Sequence, residues 1–329
     1  MTRAVGILGL GHYVPEKIIT NTDMEKIVET SDEWITERTG IKQRHIAAPE
    51  EATSDLAYNA AVEALKDAGV APEELDLVIV GTASSDYIFP STACLVQARL
   101  GAKNAAAFVL AAGCSGFVYS LAVASQMVKS GLYNKILIIG AETLSRIMNW
   151  TDRNTCVLFG DGAGAAVVGE VEEGYGVLGI DMGADGNGGK FLLQPAGGSR
   201  NPASEETVAA KDHTIHMNGQ EVFKFAIQIM GKTAKRALAK ANMKPEELDM
   251  LFPHQANYRI ITSAAKRLKM PMDKVWVNVD KYANTSAASI PIALCEAQKA
   301  GALKKGDNII LDGFGAGLTW AAIVLKWSK

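Results

Sequence analysis

A cysteine at position 114 stands in Ala111-Ala112-Gly113-Cys114-Ser115-Gly116-Phe117, where every immediate neighbour is small. A strand-like run, AAFVLA, leads in, and an apolar helical run, FVYSLAVASQMVKSG, leads out. A thiol at the start of a helix meets unpaired N–H groups and the positive end of the helix dipole, which favour its thiolate. Gly113 and Gly116 permit a sharp turn and close approach by a substrate. Backbone N–H groups at such a turn can hold an oxyanion. Two further residues suit that chemistry: His254 in PHQAN (253–257) and Asn284 in NTSAAS (284–289). A neutral imidazole and an amide donate hydrogen bonds to developing negative charge, and the thiolate takes an acyl group as a thioester. The ordinary reading of a lone cysteine in an apolar segment is an inert core thiol. Cys94 and Cys295, inside apolar helical runs, take that reading; Cys156 lies in a mixed stretch.

The elements that must position these residues alternate along the chain. LDLVIVG (75–81), KILIIGA (135–141) and DNIILDG (307–313) read as buried strands. SDLAYNAAVEALKDAG (54–69), EVFKFAIQIMGKTAKRALAKA (221–241) and YRIITSAAKRLK (258–269) read as helices with one apolar face. The alternation indicates an α/β protein.

The chain also repeats itself. PEELDLVIVGTAS starts at Pro72 and PEELDMLFPHQAN at Pro245. Cys114 and Asn284 each stand 17 positions before a glycine, Gly131 and Gly301, with an apolar helical run between and a buried strand after. Two halves with one plan are expected, 1–173 and 174–329, with their seam in GEVEEGYG (169–176). Cys114 and Asn284 would then occupy equivalent junctions, and His254 would end the first strand of its half. Functional groups in open α/β sheets gather beyond the carboxyl ends of strands, so a pseudo-twofold can bring all three together.

Bulk properties exclude several classes. Lys+Arg 33 against Asp+Glu 36 gives a net charge of −3, which argues against general nucleic-acid binding. No apolar run reaches membrane-spanning length. MTRAVGILGLGHYVP is too short and too glycine-broken for a signal peptide. Four scattered cysteines without CxxC fit reduced thiols in the cytoplasm rather than a disulfide framework or a zinc site. His213 and His216 in a polar stretch read as loop residues rather than metal ligands. FGDGAGAAVV (159–168) and GILGLGHYVP (6–15) lack the strand–turn–helix context of a dinucleotide loop.

AAGCSGF, PHQAN and NTSAAS together resemble the β-ketoacyl-acyl-carrier-protein synthase III family of thiolase-fold condensing enzymes. TSDEWITERTGIKQRHIA (30–47), TDRNTCVLFGDGAGAA (151–166) and GFGAGLTW (313–320) carry the likeness over nearly the whole chain. The resemblance implies a thiolase-like fold, two duplicated α/β halves in an αβαβα layered arrangement. It implies the initiating step of type II fatty-acid synthesis, in the cytoplasm and without a cofactor. Cys114 would take an acyl group from acyl-CoA, a substrate. Malonyl-acyl-carrier protein would lose CO2, and its carbanion would attack the acyl-cysteine. His254 and Asn284 would stabilise the enolate; the backbone N–H groups of Cys114 and Ala316 would hold the acyl-side oxyanion.

By the same likeness, Trp34 and Arg153 would sandwich the CoA adenine and Arg38 would meet its phosphates. Asn218, Gly219, Phe223, Ala256 and Asn257 would line the pantetheine channel. Leu158 and Phe159 would shape the acyl pocket, Phe314 would help gate it, and Phe89 would reach into the partner's pocket of a homodimer. On a helical wheel Ile260, Ile261, Ala264, Ala265 and Leu268 share one side. Arg259, Lys266 and Arg267 lie away from it and, with Lys224, would receive the acidic carrier protein. Ala283 departs from the family pattern, which often has glycine before the asparagine. Competing readings are a Cys-His-Asn hydrolase, a ketosynthase with another primer, or a non-catalytic acyl-CoA-binding protein. The residues leave the primer open, and the polar stretch 194–213 unassigned.

Overall fold

The computed structural model describes residues 3–329. Two mixed sheets carry the architecture. The first contains β1 (Val5–Tyr13), β2 (Leu77–Gly81), β3 (Ala106–Leu110), β4 (Lys135–Glu142) and β5 (Gly162–Glu170), in the order β1-β5-β4-β2-β3. The second contains β6 (Gly176–Ala184), β7 (Met250–Pro253), β8 (Asn308–Gly315) and β9 (Thr319–Lys326), in the order β7-β8-β9-β6. Read from β1 and from β6, the directions match. The first two pairings of each sheet are antiparallel and the next is parallel. The first sheet adds β3 in parallel; at that place the second keeps only a single parallel bridge between Leu251 and Val275.

Seven main helices fill the layers: α1 (Asp32–Thr39), α2 (Thr53–Ala68), α3 (Thr92–Leu100), α4 (Gly116–Lys129), α5 (Gly219–Lys240), α6 (Tyr258–Leu268) and α7 (Ser289–Lys299). Leu56, Ala57, Ala60, Ala61 and Ala64 of α2 and Val96 of α3 cover one face of the first sheet. Phe117, Leu121 and Ala124 of α4 and Ile290, Ala293 and Leu294 of α7 pack between the sheets. Ala234, Ala237 and Leu238 of α5 and Ile261, Ala265 and Leu268 of α6 cover the far face of the second. An all-round apolar helix such as α4 belongs in a middle layer. The five layers therefore follow from which helices have a polar side. The two glycine-rich stretches set aside as dinucleotide loops form the edge and inner strands β1 and β5.

The middle layer is tightest where α4 and α7 begin. A Cβ on Gly81 would stand 2.9 Å from the Gly116 carbonyl carbon, and one on Gly140 would collide with the Ala287 carbonyl oxygen.

Three expectations need correction. Cys94 is exposed rather than a core thiol, because Ala93 and Val96 are the residues that α3 turns inward. The 194–213 stretch is not all loop: Ser204 caps a short helix, Glu205–Ala209, by accepting from Thr207 N. Cys114 and Asn284 are offset rather than equivalent. Cys114 lies inside a 3₁₀ turn (Gly113–Ser115) that runs into α4, whereas Asn284 precedes the corresponding turn (Ser286–Ala288). α7 has 11 residues where α4 has 14, which hides this shift when spacing is counted to the closing glycines.

One strand residue opposes its surroundings. Asp312 in β8 is fully buried, and neither carboxylate oxygen has a hydrogen-bond partner. Burial, then the charge of Asp181, pushes its carboxyl well above the ordinary aspartate range. The folded state thus holds a proton that the unfolded chain releases above about pH 4, so this residue costs more stability as pH rises toward its folded pKa. Asp312→Val is expected to stabilise the fold by about 1–3 kcal/mol. Thermal melts should show a larger gain at pH 8 than at pH 5. An equal or absent gain would mean that the carboxyl is satisfied.

Candidate active site

Cys114, His254 and Asn284 line one cavity of about 1090 Å³. Each sits just past a secondary element. Cys114 follows β3, His254 follows β7, and Asn284 follows a short helix, Val279–Tyr282. Gly113 takes φ +53°, a left-handed conformation that glycine adopts without strain. A Cβ there would stand 2.7 Å from Ala316 N, so the cysteine turn lies directly on the Gly315–Ala316 backbone. Thr319 Oγ1 donates to the Ala112 carbonyl at 2.8 Å and ties the turn to β9. Asn284 is clamped by two backbone bonds, Asn284 N to Leu158 O at 2.9 Å and Gly160 N to Asn284 O at 3.1 Å. Leu158 and Phe159 thereby reach the same cavity.

The protonation states differ from the simplest sequence reading in one respect. The helix start was expected to favour the Cys114 thiolate. In the substrate-free site, burial pushes this thiol up to about 12, a Ser286 hydrogen bond opposes that shift, and the charge of Glu142 adds to it. Desolvation outweighs the dipole because Cys114, though it lines the cavity, is only partly exposed. The resting Cys114 side chain is a thiol.

His254 behaves as expected for a neutral donor: burial holds its pKa down at about 3. Its Nδ1 lies 2.7 Å from Ser289 Oγ. The Gln255 N–H donates weakly to that oxygen at 3.4 Å, which leaves the hydroxyl proton for Nδ1. The ring proton then belongs on Nε2, the nitrogen free to serve the cavity. Asn284 is oriented in a similar way. Its Oδ1 accepts from Ser286 N at 2.8 Å, so its amide N–H2 remains as donor. Ala283, just before it, takes φ +56° and ψ −156°. That region suits glycine, and a methyl group there costs on the order of 1–3 kcal/mol.

The cavity mouth holds Trp34, Arg38, Asn218, Gly219, Phe223, Ala256 and Asn257; Phe314 lies deeper, edge-on to His254 at 5.5 Å. Arg153 stands outside the lining. Its guanidinium is 5.4 Å and that of Arg38 4.5 Å from the Trp34 ring centre, which leaves no slot for a base. Both arginines make cation–π contacts with the indole, so the sandwich that the resemblance implies requires one of them to swing off the ring. Asn218 and Asn257 also cap helices through their side chains, α5 and α6 respectively. Phe89 lies outside this cavity and is 85 % exposed, beside Ile88 at 86 % and Tyr87 at 61 %. Lys224, Arg259, Lys266 and Arg267 are exposed on α5 and α6, and all five residues of the α6 apolar side are buried. Arg259 donates to the Glu37 carbonyl at 2.9 Å. His213 meets Thr207 Oγ1 at 2.9 Å, and His216 lies in a two-residue strand.

Sequence reasoning missed three residues behind this site: Ser286, Ser289 and Glu142. Glu142 is fully buried and accepts from Ser84 Oγ at 2.6 Å, Thr82 Oγ1 at 3.2 Å and Ala83 N at 3.1 Å. The serines stood in NTSAAS, yet only the fold shows which partners they face. A buried thiol, a neutral imidazole donor and a fixed amide donor can accept an acyl group and stabilise an enolate beside it.

Comparison with known proteins gives a consistent result. Family models for 3-oxoacyl-(acyl-carrier-protein (ACP)) synthase III match residues 108–186, and residues 238–327 for its C-terminal part. A beta-ketoacyl-(acyl-carrier-protein) synthase III of Caldanaerobacter subterraneus subsp. tengcongensis is 64 % identical over 326 residues, 99 % of this chain and 98 % of that protein. One from Clostridioides difficile is 55 % identical and covers 100 % of both. The crystal structure of 3-oxoacyl-(acyl-carrier-protein) synthase III from Aquifex aeolicus superposes with a TM-score of 0.91 at 49 % identity, covering 98 % of this chain and 100 % of that one. The priming beta-ketosynthase of the R1128 polyketide pathway superposes at 0.92 with 34 % identity, covering 100 % and 97 %. The architecture is that of the thiolase-fold synthases.

Proposed function

Because the chain belongs to the 3-oxoacyl-(acyl-carrier-protein) synthase III family, we propose that its Cys114, His254 and Asn284 carry out that family's condensation. The protein is an acyltransferase, an initiating condensing enzyme of fatty-acid synthesis. The observation that carries the assignment of residues is the convergence of these three side chains, from three separate elements, on one cavity.

In the first half-reaction Cys114 Sγ attacks the thioester carbonyl of acyl-CoA. The backbone N–H groups of Cys114 and Ala316 hold the oxyanion, and CoA leaves with the thiol proton. In the second, malonyl-acyl-carrier protein loses CO2. The electron pair of the broken C–C bond flows to the thioester oxygen, where His254 Nε2–H and the Asn284 amide donate. The enolate carbon then attacks the acyl-cysteine carbonyl, and collapse releases the 3-oxoacyl product and the Cys114 thiolate, which takes a proton from water to return to the resting thiol. Carbon dioxide is the leaving group that generates the carbanion, so the sequence needs no metal or redox cofactor. A neutral donor suits it, because malonyl loses CO2 without a proton being abstracted from carbon.

Trp34 and Arg153 bind adenine, Arg38 the phosphates, and Asn218, Gly219, Phe223, Ala256 and Asn257 the pantetheine arm. Phe314 gates the channel above an acyl pocket shaped by Leu158 and Phe159. The exposed Tyr87-Ile88-Phe89 tip supports a homodimer in which Phe89 enters the partner's pocket, since a projecting apolar tip of this kind marks an interface. The halves 1–173 and 174–329 descend from one duplicated unit, a reading supported by the matching strand order. No described helix is long and apolar enough to cross a membrane.

The test is incubation with acetyl-CoA and malonyl-acyl-carrier protein. A 3-oxoacyl-carrier protein product is expected; free acid alone would favour a hydrolase, and no turnover a binding protein. Branched or longer acyl-CoA primers in the same assay define the primer range. For carrier docking, Lys266→Glu is a cleaner probe than Arg259→Glu, because Arg259 also holds α1 through Glu37 O. The KM for malonyl-carrier protein should rise several-fold while that for acyl-CoA stays unchanged. Equal rises would remove α6 as the docking face.

A further inference from the structure

At the free edge of the first sheet, α2 on its outer side and α7 on its inner side meet around β1. Glu63 of α2 accepts the His12 backbone N–H at 2.7 Å, and Asp67 accepts that of Leu10 at 2.8 Å, so two carboxylates close the edge strand. The same Glu63 Oε2 lies 3.5 Å from His12 Nδ1, and Cys295 Sγ of α7 lies 3.3 Å from that nitrogen. His12, Glu63 and Cys295 thus bring one nitrogen, one oxygen and one sulfur within 4.8 Å of one another. Bond lengths of roughly 2.0–2.3 Å to zinc place tetrahedral ligands about 3.3–3.7 Å apart; both separations from His12 Nδ1 match, and the glutamate oxygen and the sulfur lie within 4.8 Å of each other. A cation already occupies the opening. The Lys299 ammonium lies 2.6 Å from Glu63 Oε1 and 3.2 Å from His12 Nδ1, and its side chain is half exposed. The ring lone pair therefore faces a position that holds positive charge.

We propose that His12, Glu63 and Cys295 form a site for a thiophilic divalent cation of the zinc class, held closed by Lys299 in the metal-free protein. On binding, the Cys295 S–H bond breaks, a metal–sulfur bond forms, and the proton passes to solvent. The Lys299 side chain swings out, and water fills the fourth position. No electron transfer is involved. Sulfur with imidazole selects zinc or cadmium over magnesium or calcium. The site lies apart from the Cys114 cavity. It bridges elements of both halves, so occupancy fastens α7 to β1 and α2.

The test uses the full chain with Cys94→Ser and Cys114→Ala, which removes the two thiols that are not fully buried. Cadmium titration should give a saturable, one-to-one thiolate-to-metal absorption band, and zinc should displace it. Cys295→Ser should abolish the band. Lys299→Met should lower the dissociation constant roughly tenfold, because the competing ammonium is gone. His12→Asn and Glu63→Gln should each weaken binding, which keeps the test decisive if Cys295→Ser fails to fold. No band, a band without one-to-one saturation, or a band indifferent to His12 and Glu63 would overturn the proposal and leave an ion pair that closes a sheet edge.

Discussion

Cys114→Ser should lose acyl transfer from CoA, and overall turnover should fall on the order of 10⁴-fold or more. Serine is close in size and fits the turn, so the fold and the cavity should survive. What changes is the nucleophile. The thiol is held protonated at about 12 by burial, yet it remains the softer and more acidic of the two groups. A serine hydroxyl in that position meets no base: His254 is already satisfied at Nδ1 by Ser289, and Glu142 is reached only past Ser286. The check is the mass of the protein after mixing with acetyl-CoA alone. Native protein should gain one acetyl group and the variant none. An acetylated serine variant, or unchanged turnover in Cys114→Ala, would move the nucleophile elsewhere.

His254→Ala and Asn284→Ala should separate the two half-reactions. On the proposed roles, each removes one donor to the enolate oxygen, a loss of about 10²–10³ in decarboxylation. Neither touches the oxyanion position proposed for the Cys114 and Ala316 N–H groups, so acylation of Cys114 should persist. Malonyl decarboxylation by the acylated protein is followed through CO2 release. The native enzyme adds a pH signature. Burial lowers the imidazole pKa to about 3, so His254 stays neutral and donating from about pH 4 upward. Its second ring proton is lost as pH rises through about 3, well below the working range. The decarboxylation rate should show no acid limb between about pH 5 and 8 from this residue. A limb near the ordinary imidazole value of about 6.5 that vanishes in His254→Ala, or equal loss of both half-reactions in all variants, would contradict the division of roles.

What the sequence made legible follows from how local each signal was. The core helices and strands were plain because burial on both sides leaves long apolar runs, as in α4 and β4. Cys114 stands out because small turn-forming residues surround it, and His254 and Asn284 because the internal repeat places them at corresponding strand and helix ends. The exposure of Cys94 was not legible: a single residue step along α3, about 100°, separates inward Ala93 from outward Cys94, and an apolar run blurs the difference. The offset of Asn284 was hidden because a shorter helix restored the closing glycine. The state of the Cys114 thiol depends on desolvation, which has no local sequence mark. The His12–Glu63–Cys295 cluster joins residues from opposite ends of the chain, and only strand order around the β1 edge unites them.

The contact of Gly140 with the Ala287 carbonyl has a consequence for descent rather than for chemistry. Every replacement of a glycine by another residue adds at least one carbon atom. At Gly140 and Gly81 there is no room for one. Lineages therefore have no near-neutral neighbours at the heart of the molecule, where the two helix starts meet. Substitutions that the fold tolerates must fall away from this contact, where an added carbon finds space. The two glycines and the helix starts that they touch can change only together.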